Sequence, residues 1–147
     1  MGKIYLDIFY SVIYKLKNEN DYNSIKTIIQ FINTICNLIP CSICRTHALK
    51  YLKNNNISNM KTKTQLKLYM YTFHNYVNKR LNTEILNVKQ CDAIYENKIF
   101  NTVLINFHKI LKLIQYNANY MHLSRKKINF INTYISYFKH NMHKYNL

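Results

Sequence analysis

Glycine and proline are almost absent from this chain, which has one of each, Gly2 and Pro40. With so few residues that favour turns, the sequence predicts helices joined by polar, asparagine-rich links. Neither a dinucleotide-binding Gly-x-Gly-x-x-Gly turn nor a phosphate-binding P-loop can form, because each needs several glycines. Any nucleotide cofactor must therefore be bound by side chains between helices.

Acidic residues are also scarce. Six Asp and Glu stand against 21 Lys and Arg, which gives a formal net charge of +15. A surface this basic favours phosphates, acidic partners or nucleic acid. The 147 residues are 48% hydrophobic, which is enough for one domain with a real core. The excess of Asn, Ile, Lys and Tyr indicates an AT-rich coding bias, so we do not interpret most asparagines as functional.

Long apolar runs are missing as well. The apolar stretches near the start are interrupted by Asp7 and Lys15, and no run approaches the roughly 18 residues of a membrane span. We therefore expect no secretory signal and no membrane span, and a soluble protein in a cytosol-facing compartment. Four cysteines in such a compartment favour redox or metal chemistry over a disulfide scaffold.

Apolar residues recur at helical spacing along most of the chain, and no segment alternates as a strand would. The sequence therefore predicts an all-α fold. The predicted helices are residues 4–17, a second capped by Asn23 or Ser24 and stopped by Pro40, a third from the cysteine pair to Asn54, a fourth capped by Thr64 and running to Leu81, and a shorter one at 88–100.

The composition changes at about residue 101. From there to Leu147 the chain has seven Lys or Arg, no Asp or Glu, and four of the six histidines. Apolar residues still recur with helical period, and Val103, Phe107, Ile114 and Ile128 are among them. We therefore predict a core unit, residues 1–100, followed by a basic extension of one or two amphipathic helices, residues 101–147.

Two cysteines lie two residues apart, in Cys41-Ser42-Ile43-Cys44, directly after Pro40. At the start of a helix, unpaired backbone N–H groups and the macrodipole favour an anion and lower a cysteine pKa. A disulfide in such a pair is easily reduced, which suits electron transfer. Two ordinary half-buried cysteines are the plainer interpretation.

Zinc is another interpretation of the same segment, because Cys36, Cys41, Cys44 and His47 supply four ligands within twelve residues. We disfavour it on two grounds. Cys36 is expected in the middle of the second helix, and compact zinc sites usually take two well-separated ligand pairs with turns.

A second cluster follows thirty residues later. His74 and Asn78 are four residues apart and share one face of the predicted fourth helix, with Val77 and Leu81 beside them. Its ring, amide and cationic groups suit a flat cofactor that carries phosphates. The alternative is a core histidine with satisfied hydrogen bonds among ordinary asparagines.

Together these clusters resemble the FAD-linked sulfhydryl oxidases of the Erv/ALR type, in particular the short forms of large cytoplasmic DNA viruses. The resemblance covers residues 39–99 and is carried by Pro40-Cys41-x-x-Cys44, His47-Ala48, Phe73-His74-Asn75-x-Val77-Asn78-x-Arg80-Leu81-Asn82 and Ile94-Tyr95-Glu96. It implies a four-helix bundle with a short fifth helix, bound FAD, and a homodimer.

The resemblance also implies roles for single residues. Cys41 and Cys44 would be the catalytic pair, with Cys44 nearer the flavin and Arg80 near the cofactor phosphates. In place of the family's Trp and His on the first helix, this chain has Leu6 and Tyr10. The implied cofactor-binding set is Tyr5, Tyr10, His47, His74, Asn75, Val77, Asn78, Arg80, Leu81 and Tyr95.

The implied reaction transfers electrons from a reduced thiol protein through the Cys41–Cys44 pair to FAD and then to O2, which becomes H2O2. A second, shuttle Cys-x-x-Cys is absent, and Cys36 and Cys91 are expected to be buried thiols. We therefore expect the donor to be a small thiol carrier protein. The implied location is the host cytoplasm, at viral assembly sites, and the virion.

The competing interpretation from another class is a basic helical nucleic-acid-binding protein. The net charge favours it, as does Arg125-Lys126-Lys127 between aromatic residues. Because no known DNA or RNA motif is present, we expect nucleic acid to bind only through the basic extension.

Overall fold

A computed structural model of the protein describes residues 2–116 and 125–147. Within these ranges the chain forms α-helices and short 3-10 turns, and strand-like pairing is limited to one isolated bridge between Leu16 and Tyr145. The helices are α1 (Lys3–Tyr14), α2 (Tyr22–Cys36), α3 (Ser42–Asn54), α4 (Lys63–Arg80), α5 (Val88–Glu96), α6 (Phe100–Tyr116) and α7 (Arg125–His140). The all-α prediction is confirmed.

Helix α1 is the centre of the molecule. Nine of its twelve residues are buried, including polar Ser11. A helix that is apolar on nearly every side must be covered on every side, and α1 packs against α2, α4, α5 and α6. Helices α4 and α5, which carry several of the predicted site residues, are therefore positioned against one buried helix.

Helix starts differ from the predicted ones because other polar side chains lie closer to the first free N–H groups. Asp21, and not Asn23 or Ser24, caps α2 by accepting a hydrogen bond from the Ser24 N–H at 3.1 Å. Thr62, and not Thr64, caps α4 in a capping box with Gln65. Each of these two N-cap residues lies about one turn before the first buried apolar residue of its helix.

Helix ends also differ. Helix α1 ends at Tyr14, before the predicted limit of residue 17, and α2 ends at Cys36, before Pro40. Cys36 is therefore the last residue of α2 and not a mid-helix residue. Leu38 and Ile39 are buried although they lie in the linker after α2. The apolar pattern therefore continues beyond the end of the helix.

The basic extension shares the core of the first hundred residues. Phe31 of α2 packs edge-on against Phe107 of α6 and Phe138 of α7, at centroid distances of 6.0 and 5.2 Å. Phe107, Phe138 and Tyr145 are almost fully buried. The division at residue 100 stays a prediction, and the predicted side-chain roles of Ile114, Lys126, Lys127 and Ile128 lie outside the described residues.

The end of the chain is bonded to the end of α1. The Lys17 N–H donates to the Lys144 carbonyl at 2.9 Å, and the Asn146 N–H donates to the Lys15 carbonyl at 2.6 Å. These bonds flank the bridge between Leu16 and Tyr145. Residues 144–146 therefore hold the segment that directly follows the central helix. Among the helices described, none has both the length and the apolar character to cross a bilayer.

Candidate functional site

The cysteine pair lies at the start of α3, as predicted. Cys41 is the N-cap residue, and its Sγ accepts a hydrogen bond from the Cys44 backbone N–H at 3.3 Å. The hydrogen bonds that Cys44 donates lower the pKa of the Cys41 thiol. Cys41 is exposed, whereas Cys44 is half-buried against the core. The outer sulfur is thus accessible and acidic, and the inner sulfur faces the protein.

A narrow cleft lies beside Cys44, between α3 and α4, with a free volume of about 20 Å³. From α3 come Cys44, His47 and Ala48, which share a face because they are three and four residues apart. Tyr76, Val77 and Arg80 come from α4, and Leu81 follows directly after it, so these residues have the matching spacing. Five of the predicted site residues, Cys44, His47, Val77, Arg80 and Leu81, therefore meet in one place.

Positive charge surrounds this cleft. Arg80 and Lys50 are exposed, and both act on His47. The pKa of His47 is lowered, first by desolvation and then by the Arg80 and Lys50 charges. The cleft therefore combines apolar walls, one aromatic ring and a cationic rim.

Three other predicted residues meet inside the bundle and not in the cleft. The Tyr10 hydroxyl lies 3.1 Å from His74 Nδ1 and donates to the Met70 carbonyl at 3.1 Å. Because that proton is used, His74 Nδ1 acts as the donor to Tyr10. Tyr95 stacks on Tyr10. Burial lowers the pKa of His74, partly offset by Asp7, so the imidazole is held neutral.

The amide groups of Asn75 and Asn78 hold the loop between α4 and α5. Asn75 donates to the Leu86 carbonyl at 2.8 Å and accepts from the Leu86 N–H at 3.0 Å. Asn78 donates to the Glu84 carbonyl at 3.0 Å. In this structure both side chains thus position the loop beside the cleft.

Helix α4 ends in a Schellman motif that directs the chain into this loop. Asn82 has φ 52°, the left-handed conformation that asparagine tolerates better than most residues. The Thr83 N–H donates to the Asn78 carbonyl at 2.9 Å, and the Asn82 N–H donates to that of Lys79 at 3.4 Å. The asparagine that ends the sequence motif is therefore a helix terminator.

Tyr5 and Leu6 lie on α1 and are buried. The ring of Tyr5 packs edge-on against Phe107, with centroids 6.3 Å apart. The structure thus places Tyr5 at the contact between α1 and α6, and it is not among the residues that line the cleft.

Cys36 and Cys91 are buried, as expected. Burial raises the pKa of Cys36 to about 12 and also raises the pKa of Cys91, whose Sγ lies 3.9 Å from the Tyr10 hydroxyl. Thiols of this kind are poor nucleophiles at neutral pH. Within residues 2–116 and 125–147, no three His, Cys, Asp or Glu side chains converge as metal ligands would.

Sequence reasoning missed Tyr76 and Ala48 as cleft residues. Tyr76 leans on Tyr51 of α3, with centroids 4.9 Å apart, and so closes one wall. Its position four residues before Arg80 places the two on one helix face. The spacing of Tyr76 and Arg80 could have indicated that Tyr76 lines the cleft. With fourteen tyrosines along the chain, however, no single tyrosine stands out in the sequence.

Comparisons with known proteins agree on one family. The profile of the Erv1/Alr family matches residues 7–98. A protein named FAD-linked sulfhydryl oxidase from a Malawi tick isolate of African swine fever virus is 37% identical over 85 residues, which is 58% of this chain and 67% of the relative. Proteins with the same name from Kenyan and Namibian isolates are each 34% identical over the same shares. No solved structure gives a significant match.

Proposed function

The chain belongs to the Erv1/Alr family, and from this we propose that it is a FAD-linked thiol oxidase that forms disulfide bonds in a partner protein and reduces O2 to H2O2. The observation that carries the proposal is the cleft in which Cys44 meets Val77, Arg80 and Leu81. A helix-capping cysteine of lowered pKa lies at its rim, exposed to a protein partner.

The chemistry on the protein is thiol–disulfide exchange. A partner thiolate attacks Cys41 Sγ of the oxidised pair, the Cys41–Cys44 bond breaks, and Cys44 leaves as a thiolate. The partner's second thiol then attacks the partner's sulfur atom in the mixed disulfide, and Cys41 leaves as a thiolate. The partner loses two electrons and two protons and gains one disulfide. The lowered pKa of Cys41 speeds the second step, since a more acidic thiol leaves faster.

The residues of the cleft fit FAD by their chemistry. Tyr76, Val77 and Leu81 offer walls for a flat ring, while Arg80 and His47 offer cationic and polar groups for phosphates. The free volume of the cleft is about 20 Å³, room for little more than one water molecule, so its walls would have to separate to admit any part of FAD. When bound, FAD supplies a two-electron acceptor for the thiolate and an electron donor for O2.

The interior residues and the loop support this site. Tyr10, His74 and Tyr95 fix α4 and α5 against α1 through hydrogen bonding and stacking. Asn75 and Asn78 fix the loop that follows α4. We propose that these five residues of the cofactor-binding set act on FAD mainly by holding α4, α5 and their loop in place.

The test is the visible spectrum and oxygen uptake of the purified protein. We expect a yellow protein that consumes oxygen with dithiothreitol. Cys44→Ser should keep the colour and lose dithiol-driven bleaching. Cys36→Ala is the matched control, because it removes a buried thiol away from the pair and should keep activity. A colourless protein, or a Cys44→Ser variant that bleaches at the wild-type rate, would contradict the proposal.

A second candidate function, nucleic-acid binding, is favoured by one groove. Between α6 and α7, His108, Lys112, Ser136 and Lys139 face a common space. The charges of Lys112 and Lys139 contribute to lowering the pKa of His108, after desolvation. We propose that this groove binds phosphates of nucleic acid as an accessory activity. A labelled duplex should bind and dissociate as salt rises, and Lys112→Glu with Lys139→Glu should weaken it. Binding unchanged in that variant would contradict the proposal.

Assembly and location are proposals that follow from the family resemblance and from the viral origin of the relatives. We propose a homodimer that acts in the host cytoplasm, at viral assembly sites, and is carried in the virion. Light scattering of the purified chain measures its mass, and immunolabelling of infected cells and purified particles locates it. A monomer at micromolar concentration, or label confined to another compartment, would contradict these proposals.

A further inference from the structure

The cysteine pair lies within a long stretch of one charge sign. Residues 22–83 contain nine Lys or Arg and no Asp or Glu. This stretch includes all of α2, α3 and α4, and therefore both walls of the cleft. Four of its cations, Arg45, Lys50, Lys79 and Arg80, lie on α3 or near the end of α4.

The acidic side chains are engaged elsewhere. Glu19 accepts from the Thr64 N–H at 2.8 Å, at the start of α4. That helix has 18 residues, so its start is about 27 Å from the Arg80 end. Asp7 pairs with Lys98 at 3.1 Å. The distance from Glu19 exceeds the roughly 8 Å screening length at physiological salt, so Glu19 does not neutralise the rim of the cleft, and the charge of Asp7 is offset by Lys98.

The remaining acidic residues follow the same pattern, with one exception. Asp21 caps α2, Asp92 accepts from the Tyr14 hydroxyl at 2.6 Å, and Glu96 lies 3.9 Å from Lys67. Glu84 is the exception, since it is exposed in the loop that follows Arg80. A single carboxylate against the cations of α3 and α4 leaves the rim positive.

An apolar side chain is presented between the two cysteines. Ile43 is 64% exposed, although isoleucine is among the residues most often buried. Cys41 and Ser42 beside it are also exposed. The accessible sulfur of Cys41 therefore lies close to one exposed apolar side chain, with cationic side chains around both. Protein interfaces are commonly arranged in this way, with an apolar core and a polar rim.

We propose that the electron donor is a protein whose reactive dithiol lies on an acidic surface, and that this enzyme selects it by charge. The inference rests on the proposed oxidase function. Opposite charges raise the rate of encounter, by up to several hundredfold at low salt. They also hold the donor while its thiolate attacks Cys41, and Ile43 contacts the apolar side chain next to the donor's cysteine.

The test compares matched donors with the full-length FAD-loaded enzyme. Two peptides of equal length share one Cys-x-x-Cys and differ in four flanking residues, all Glu in one and all Lys in the other. Dithiothreitol is the uncharged reference. We expect kcat/KM to be at least about tenfold higher for the acidic peptide at low salt, and the ratio to fall towards one in molar salt.

Two variants with the same charge change locate the effect. Lys50→Glu alters an exposed residue of α3 whose charge reaches His47. Lys17→Glu alters an exposed residue just beyond α1, near the start of α4 and away from the cleft. We expect Lys50→Glu to reduce the preference for the acidic peptide several-fold and Lys17→Glu to leave it within twofold. Each peptide rate is divided by the same variant's rate with dithiothreitol, so that any change in FAD binding or in basal activity cancels.

The outcomes distinguish a failure of the donor proposal from a failure of the oxidase proposal. If dithiothreitol drives no oxygen uptake, the oxidase proposal is wrong and the donor proposal is wrong with it. If dithiothreitol is oxidised and the two peptides react equally, only the donor proposal is wrong. Equal losses in Lys50→Glu and Lys17→Glu would also overturn it, because net charge and not this surface would then select the donor.

Discussion

The ring of Tyr10 lies flat on the ring of Tyr95, with centroids 3.9 Å apart and planes 10° from parallel. Tyr10 is fully buried on α1, and Tyr95 is buried on α5. Their contact joins the central helix to the short fifth helix. Because the Tyr10 hydroxyl also bonds to His74, one side chain connects α1, α4 and α5.

Replacing Tyr10 should therefore destabilise the bundle in two steps. Tyr10→Phe keeps the stack but leaves His74 Nδ1 without its partner, which should lower the free energy of unfolding by about 1–3 kcal/mol. Tyr10→Ala should lower it by about 3–5 kcal/mol. Urea unfolding at fixed FAD concentration measures both. Tyr22→Phe, at a residue 52% exposed, is the control and should change little.

Alkylation of Cys41 should titrate below the ordinary thiol range. The hydrogen bonds from Cys44 lower the Cys41 pKa, so the midpoint should lie under the roughly 8.5 of a free cysteine. Iodoacetamide rates against pH, followed by mass spectrometry of the reduced protein, measure it. Cys44→Ala removes the thiol donor and keeps the backbone N–H, so the midpoint should rise. An unchanged midpoint would show that Cys44 does not set the acidity.

Stability should fall in mild acid because of His74. Burial lowers its folded-state pKa, so the unfolded chain takes up a proton at a pH where the folded chain resists it. The contribution is complete above the unfolded value of about 6.5 and is lost as the pH falls below it. Melting of the wild type should drop more than that of His74→Gln between about pH 7 and about pH 5. Parallel curves would contradict this.

A core residue of the extension should matter as much as one within the family segment. Phe107 is fully buried and packs near Tyr5 and Phe31. Phe107→Ala should cost about 3–5 kcal/mol of unfolding free energy. Phe130→Ala is the same chemical change at a residue 49% exposed, and it should cost far less. Equal effects would show that α6 does not share the core.

The loop after α4 should loosen when Asn75 loses its amide. Asn75→Ala leaves the Leu86 N–H without its acceptor at 3.0 Å. We expect the Leu86 amide to exchange hydrogen about five to ten times faster, as one lost hydrogen bond implies. Asn97→Ala removes an amide that bonds only one turn back, to the Ala93 carbonyl, and serves as the control. Unchanged exchange at Leu86 would contradict the role of Asn75.

Helix identity was predictable from sequence because apolar period and scarce glycine and proline act locally. Helix ends were harder. Asp21, Asn23 and Ser24 are all good N-cap residues, and the sequence does not show which of them lies closest to the free N–H groups of α2. Buried Leu38 and Ile39 prolonged the apolar pattern beyond Cys36. A linker that packs into the core cannot be told from a helix by hydrophobicity alone.

The candidate site was predictable in membership but not in arrangement. The motif residues fall into a cleft group with Cys44, an interior group with Tyr10 and a loop group with Asn75. His74 and Val77 are neighbours on one helix yet face different partners. In the loop, Asn75 bonds to backbone atoms of Leu86. Every residue has these backbone atoms, so a sequence motif cannot indicate which residue is the partner.

The bond between the Asn146 N–H and the Lys15 carbonyl has a consequence for biosynthesis. Helix α1 is translated long before residues 144–146, which bond to the segment directly after it. Until those residues are made, the nascent chain must leave part of its apolar surface uncovered, a state that favours aggregation. We therefore expect stop codons placed just before residue 144 to reduce yield out of proportion to the few residues lost.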